Sequence, residues 1–216
     1  MKKINAFVTK FFKFLQVSTF SRKYYRNEFY LNQLFQKYSI TGDSSSLDVG
    51  SGPKPKNPFN SKDLTGVDFR ENKETNVHFA DLSLGNLPFQ NDQFDFVTAF
   101  DLLEHIPRTL NINGDSSFPF ILLMNEVFRV LKPGGVFFAY QPVFPAKSAF
   151  QDPTHVNIMS EDTLDFYFCE KAWARIYGFT GSFELVADGW IGEKYFCFMR
   201  KADIEPILDL HFVQKA

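Results

Sequence analysis

Cysteine is scarce in this chain. Only Cys169 and Cys197 occur in 216 residues, far apart and in no CxxC or other ligand spacing. A disulfide framework and a thiolate zinc site are thereby excluded, and two reduced, buried thiols are expected. No stretch reaches the roughly 18 uninterrupted apolar residues of a membrane span. The start carries no signal-peptide pattern, which points to a cytoplasmic protein. Internal repeats and low-complexity tracts are absent as well, so solenoids and disordered tails find no support. What abounds is phenylalanine, with 28 copies. Many stand where Leu or Ile would also serve, so a compositional bias explains the excess more simply than function does.

A length of 216 residues with 44% hydrophobic and 22% charged residues fits one soluble domain with an appendage. The net charge of −2 is unevenly spread: residues 1 to 40 hold eight Lys or Arg against Glu28, so they carry +7 and the remainder −9. An acidic main body without a recognition module speaks against a nucleic-acid partner.

Along the chain, Ile4, Phe7, Val8, Phe11 and Leu15 share one helical face over residues 3 to 15. A second helical pattern over 22 to 38 carries Tyr25, Phe29, Leu31, Leu34 and Phe35, and turn residues follow at 41 to 46. Then short apolar runs begin, expected as strands at Leu47 to Val49, Leu64 to Phe69, Asn76 to Phe79, Phe94 to Phe100 and Gly135 to Tyr140. A helix is expected over Phe120 to Leu131, stopped by Lys132-Pro133-Gly134-Gly135, and another over 160 to 177 capped by Ser160. Residues 109 to 119 read as a surface insertion. Strands at Phe183 to Asp188 and Tyr195 to Arg200 close the series.

This alternation predicts an α/β fold: a doubly wound, mostly parallel seven-stranded sheet with helices on both faces and the last strand antiparallel, at an edge. The chain divides into a basic helical segment, 1–43, a main domain, 44–202, and a tail, 203–216.

Ligands of such sheets bind beyond the carboxyl ends of the strands. The residues leaving those ends are Gly50-Ser51-Gly52-Pro53 after Asp48, then Asp68 and Phe69, Asp81, then Asp101, Glu104 and His105, and finally Gln141. Two glycines permit a tight turn and close approach of a ligand. An acidic residue ending the second strand can take both hydroxyls of a ribose. Asp48 would repel a pyrophosphate, and Pro55 stands where a third glycine would complete a dinucleotide fingerprint. Both disfavour a nicotinamide-dependent oxidoreductase. Asp101, Asp152 and His155 have no diagnostic ligand spacing, so no metal is assigned.

The stretches LDVGSGPKP (47 to 55), GVDF (66 to 69), ADLSLGNLPFQNDQFDFVTAFDLLEHIPR (80 to 108) and LLMNEVFRVLKPGGVFFAYQP (122 to 142) together resemble the class I S-adenosylmethionine-dependent methyltransferases of the small bacterial single-domain type. The resemblance implies a Rossmann-like methyltransferase fold and S-adenosyl-L-methionine as cofactor. It implies that Asp48, Gly50, Ser51 and Gly52 line the methionine end, that Asp68 and Phe69 serve the ribose end, and that Asp81 and Leu82 serve the adenine. Phe100 and Asp101 would face the sulfonium. Pro53, Pro55 and Pro58 crowd the place of the family's first sheet-covering helix, which is expected to be short or replaced by loop.

Methyl transfer to a hydroxyl needs a base. His155, in Gln151-Asp152-Pro153-Thr154-His155, is the first candidate, with Asp152 as its orienting partner; His105 is the second. The D-P-T-H stretch resembles methyltransferases of surface-polysaccharide pathways, which implies O-methylation of a sugar or other small-molecule hydroxyl on a glycan precursor. A quinone-like or aromatic metabolite is the alternative acceptor. An inert methyltransferase-like binding scaffold and an aminopropyl transferase are further alternatives; the cofactor motifs disfavour the first, and no added carboxylate pair supports the second.

Residues 1–20 admit two readings: a helical cover over the pocket, or an interfacial helix at the inner membrane face. Vesicle co-sedimentation separates them. An interfacial helix binds anionic liposomes and loses them on Phe7→Glu, whereas a cover gives no binding by the wild type.

Overall fold

The computed structural model describes residues 25–39, 42–112 and 114–202. The helix expected over 3 to 15 and the tail at 203–216 lie outside them. Nine strands are formed among the described residues: β1 (Ser45–Val49), β2 (Asp63–Asp68), β3 (Val77–Phe79), β4 (Phe94–Phe100), β5 (Leu110–Ile112), β6 (Asp115–Ser117), β7 (Leu131–Pro142), β8 (Phe183–Ile191) and β9 (Lys194–Lys201). The helices are α1 (Glu28–Tyr38), α2 (Pro119–Val130), α3 (Ser148–Gln151) and α4 (Thr163–Phe168).

Seven strands form one sheet in the order β3-β2-β1-β4-β7-β9-β8. Pairing is parallel from β3 through to β7, and β9 runs antiparallel to both β7 and β8. The last strand is therefore antiparallel, as expected, but it lies inside the sheet rather than at its edge. The tight Ile191–Lys194 connection folds β9 back between β7 and β8, and β8 becomes the edge. The insertion at 109 to 119 is a separate antiparallel ribbon of β5 and β6.

Each strand of a buried sheet sends alternate side chains to opposite faces. In β9, Tyr195, Cys197 and Met199 join the core under α2 and α4. Phe196 and Phe198 join a second core with Phe96, Val136 and Phe138. The second face is covered by α1, through Leu34 and Phe35. That helix begins at Glu28 rather than near residue 22 because Asn27 caps it, accepting from Tyr30 N at 2.8 Å. Tyr25 and Arg26 instead run beside β8, with Arg26 N donating to Trp190 O at 2.7 Å.

Between β1 and β2 there is no helix, as the prolines predicted. Phe59, buried, occupies the helix's place on the sheet: its ring stacks on Phe96 at 4.1 Å and 7° and meets Phe35 edge-on at 5.1 Å. The loop is pinned by Asn57, whose amide exchanges two hydrogen bonds with the Ser61 backbone, and by Ser61 Oγ on Ser46 Oγ at 2.6 Å.

The helix expected over 160 to 177 is broken. It begins at Thr163, ends at Phe168 and resumes as a 3-10 turn at Trp173–Tyr177, with Ala172 left-handed at φ 44°. Ala172 and Ala174 are both buried, yet two residues apart on a straight helix they would point about 200° apart. The left-handed residue turns both inward.

Phe59→Ala should cost about 3–5 kcal/mol in urea denaturation, since it opens a cavity against the sheet. Phe59→Leu should cost less than about 1.5 kcal/mol if the ring serves as apolar filler.

Candidate active site

The turn after β1 holds Gly50 at φ 67° and Gly52 at φ 62°. A Cβ on Gly50 would stand 2.5 Å from Leu102 Cδ1, whereas one on Gly52 would meet nothing within 4 Å. The first glycine is needed for packing; the second leaves the turn open to a ligand. Asp68, buried at the end of β2, accepts from Gly52 N at 3.0 Å through Oδ2 and from Arg70 N at 3.1 Å through Oδ1. Arg70 Nε also donates to Oδ1 at 3.4 Å, so about one of the roughly four acceptor sites on a carboxylate stays free. Phe69 beside it is exposed, with the Arg70 guanidinium over its ring at 4.3 Å.

Asp81, exposed after β3, spends Oδ1 on Ser83 N and Oγ at 2.9 and 2.8 Å. The adjoining Leu82 is buried in the core. The loop that follows is fastened to α2. Glu126 accepts from Leu87 N at 2.8 Å, and Arg129 pairs with Glu126 while donating to Leu87 O and Phe89 O. Burial raises the Glu126 pKa, but the Arg129 pair and the Leu87 amide outweigh it and hold the carboxyl low.

Asp48 is buried, with Oδ1 accepting from Thr98 Oγ1 at 2.7 Å and Oδ2 from Lys56 N at 2.8 Å. Burial raises its pKa against those bonds. Both oxygens thus organise the turn, fastening β1 to β4 and to the proline loop. Ser51 Oγ turns back onto Gly52 O at 3.0 Å. Phe100 offers one ring face to a cation, taken here by Lys56 Nζ at 4.9 Å. Asp101 is left-handed at φ 51° and pairs with Lys194.

The candidate acid-base groups converge beyond β4 and β7. The His105 and His155 rings meet edge-on at 4.8 Å. His155 Nδ1 lies 3.2 Å from Ala149 O, and its Nε2 faces Glu104 Oε1 at 4.0 Å. The Asp152 carboxylate does not orient the His155 ring: its Oδ1 accepts from Thr154 N at 2.8 Å and from Thr154 Oγ1 at 2.6 Å, and only its backbone carbonyl accepts from His155 N, at 3.1 Å. Thr154 Oγ1 in turn meets His105 Nδ1 at 3.0 Å, so Asp152 reaches His105 through Thr154. The exposed Asp152 carboxyl is held low by that hydroxyl.

Glu104 was assigned no role from the sequence. It is 1% exposed, and neither carboxylate oxygen has a hydrogen-bond partner. Burial pushes its pKa up to about 7 against the pull of its own backbone N–H; Asp101 and Asp152 push the same way as burial, and Lys194 opposes. Asn157 was also missed. Its N–H donates to Glu104 O at 2.9 Å, its Nδ2 to Leu103 O at 3.0 Å, and its Oδ1 accepts from Arg108 Nε at 2.7 Å. It fastens the loop bearing His155 to the turn bearing His105. The available signals were a carboxylate inside the apolar run Leu102 to Ile106 and an amide two residues past His155.

A cavity of about 550 Å³ lies next to this clasp, lined by Arg108, Asn157, Phe118, Phe120, Tyr167 and Tyr177 among others. Tyr167 and Tyr177 are parallel, 6.5 Å apart and 9° between planes. Its lining includes neither the glycine turn nor Glu104, His105 or His155.

Residues 47–139 match the family model of the methyltransferase domain. The chain is similar to the sterol 24-C-methyltransferase of Schizosaccharomyces pombe, 27% identical over 165 residues that cover 68% of this chain and 40% of that protein. It is similar to the demethylmenaquinone methyltransferase of Listeria welshimeri, 34% identical over 84 residues, covering 33% of this chain and 31% of that protein. The matches thus span less than half the length of these relatives. Among solved structures, the [4+2]-cyclase SpnF superposes with TM-score 0.54 at 16% identity, covering 85% of this chain and 87% of that one. A SAM-dependent methyltransferase from Aquifex aeolicus gives 0.52 at 14% identity, covering 79% and 88%. At such identities these two likenesses speak to the fold alone. The domain match, however, runs from Leu47 in β1 to Ala139 in β7, through the first four strands of the sheet and their loops, and over that stretch the chain carries a methyltransferase domain.

Proposed function

We propose that the protein transfers the methyl group of S-adenosylmethionine to a hydroxyl of a small cyclic acceptor, a sugar ring before others. The observation that carries this reading is Asp68, buried at the end of β2, hydrogen-bonded to the open glycine turn and able to accept a further hydroxyl, and a second where the exposed Arg70 side chain turns away. The cofactor supplies a methyl carbon made electrophilic by a positively charged sulfur. Phe100 offers a ring face to that charge, and Asp101 stands beside it.

On the acceptor side, His155 is the proton acceptor. With Nδ1–H donated to Ala149 O, its Nε2 carries the lone pair. When Nε2 takes the hydroxyl proton, the imidazolium faces Glu104 at 4.0 Å in a site shielded from water, which stabilises the charge. Asp152, through Thr154, holds His105 in place as the neighbouring wall.

The aromatic cavity supports a ring-shaped acceptor. Its Tyr and Phe faces suit the C–H faces of a sugar, and Arg108 and Asn157 suit its hydroxyls. A quinone-like ring is the second reading, supported by the same aromatic walls and by the likeness to demethylmenaquinone methyltransferases.

Isothermal titration with S-adenosylmethionine and S-adenosylhomocysteine is the direct test. Wild type should bind both, and Asp68→Ala should weaken binding by about tenfold to a hundredfold, the loss of one or two charge-assisted hydrogen bonds. No binding by wild type would replace this reading with that of an inert scaffold. With a sugar acceptor in hand, His155→Gln should lower kcat by about 10²- to 10⁴-fold while cofactor affinity stays as it was.

A further inference from the structure

We propose that Glu104, His105 and His155 form a binding site for a divalent transition-metal cation of the zinc class, with an open coordination position on the acceptor side. Among the described residues these three place one ligand atom each within 4.8 Å of one another. They come from two separate segments, the 3-10 turn Leu103–His105 after β4 and the loop after α3, fastened together by Asn157. Two imidazoles and one carboxylate suit borderline cations such as zinc, cobalt and iron(II), and three protein ligands leave a position for a hydroxyl or water.

Three observations point to a cation rather than to a bare cluster. First, Glu104 is 1% exposed and neither of its oxygens has a hydrogen-bond partner, a costly arrangement that a bound cation would relieve. Second, both rings are held by Nδ1. His155 Nδ1 lies against Ala149 O at 3.2 Å, and His105 Nδ1 lies against Thr154 Oγ1 at 3.0 Å, whose hydroxyl donates to Asp152. Metal-binding histidines are oriented in this way, the far nitrogen donating to a carbonyl or to a carboxylate-linked group so that Nε2 carries the lone pair. Third, His155 Nε2 and Glu104 Oε1 face each other at 4.0 Å, beyond hydrogen-bond distance and close enough for one cation to draw together. Ligands about 2.1 Å from a shared cation stand about 3–3.5 Å apart, so the widest pair would need to close by about 1.3–1.8 Å from the 4.8 Å limit.

The site stands on these side chains; only its role rests on the methyl-transfer reading. An acceptor hydroxyl in the open position would have its pKa lowered by the cation and give up its proton more readily. The cation would then do for the hydroxyl what His155 does as base in its absence.

The test titrates chelator-treated full-length protein with ZnCl2 and with CoCl2. One cation per chain is expected, with visible cobalt absorption bands typical of imidazole and carboxylate ligation. Glu104→Gln and His105→Gln should each weaken binding by at least tenfold while keeping the wild-type circular dichroism spectrum. Absence of stoichiometric binding by wild type overturns the proposal, and so does equal affinity in both folded variants, which would place the cation elsewhere. Because the readout is binding, a chain that transfers no methyl group would still give a clear answer.

Discussion

The hydrogen bond from Gly52 N to Asp68 Oδ2 is the contact on which the cofactor half of the molecule depends. In the absence of a helix behind the glycine turn, nothing regular holds that turn over the sheet. Asp68 does so from β2, Asp48 from β1 and Gly66 by having no side chain: a Cβ there would lie 2.5 Å from Ser51 Oγ and 2.6 Å from Pro55 Cγ. The polar residues at the strand ends therefore have two tasks, to keep the loop in place and to keep acceptor capacity for a ligand. Asp48 has spent its oxygens on the first task, and Asp68 retains room for the second.

The same economy of regular structure shapes the far face. Pro53, Pro55 and Pro58 deny the chain a helix, and one aromatic ring, Phe59, does the covering with α1 beside it. Six of the 28 phenylalanines, Phe35, Phe59, Phe96, Phe138, Phe196 and Phe198, touch one another on this face. Flat rings can stack or meet by their edges, so they fill the irregular space left by a loop.

Much of this was legible in the sequence because buried parallel strands read as apolar runs and their ends as polar ones. β4 and α2 were found nearly to the residue. What was not legible has a common cause, the need for partners distant in the chain. The place of β9 between β7 and β8 is a matter of strand order, which no local pattern records. The left-handed turn at Ala172, which breaks the expected helix, has no glycine or asparagine to announce it. Asp152 lies three residues before His155 in sequence, yet its carboxylate hydrogen-bonds to Thr154 and through it reaches a histidine some fifty residues earlier. Glu104 stood in plain view beside His105, but an unpaired buried carboxylate is a property of surroundings and not of spacing.

The crossing of Tyr25 and Arg26 beside Trp190 has a consequence for how the molecule meets its own kind. A sheet can lengthen by recruiting a strand only where an edge offers a run of free main-chain groups. At one edge, β3 is three residues long, too short to be a template. At the other, the chain's own N-terminal stretch occupies the Trp190 carbonyl, and the register of β8 breaks between Leu185 and Ala187. Among the described residues, then, each margin of the sheet is blunted, one by brevity and one by a bulge and a borrowed strand. Self-association by continuous strand pairing is discouraged at both.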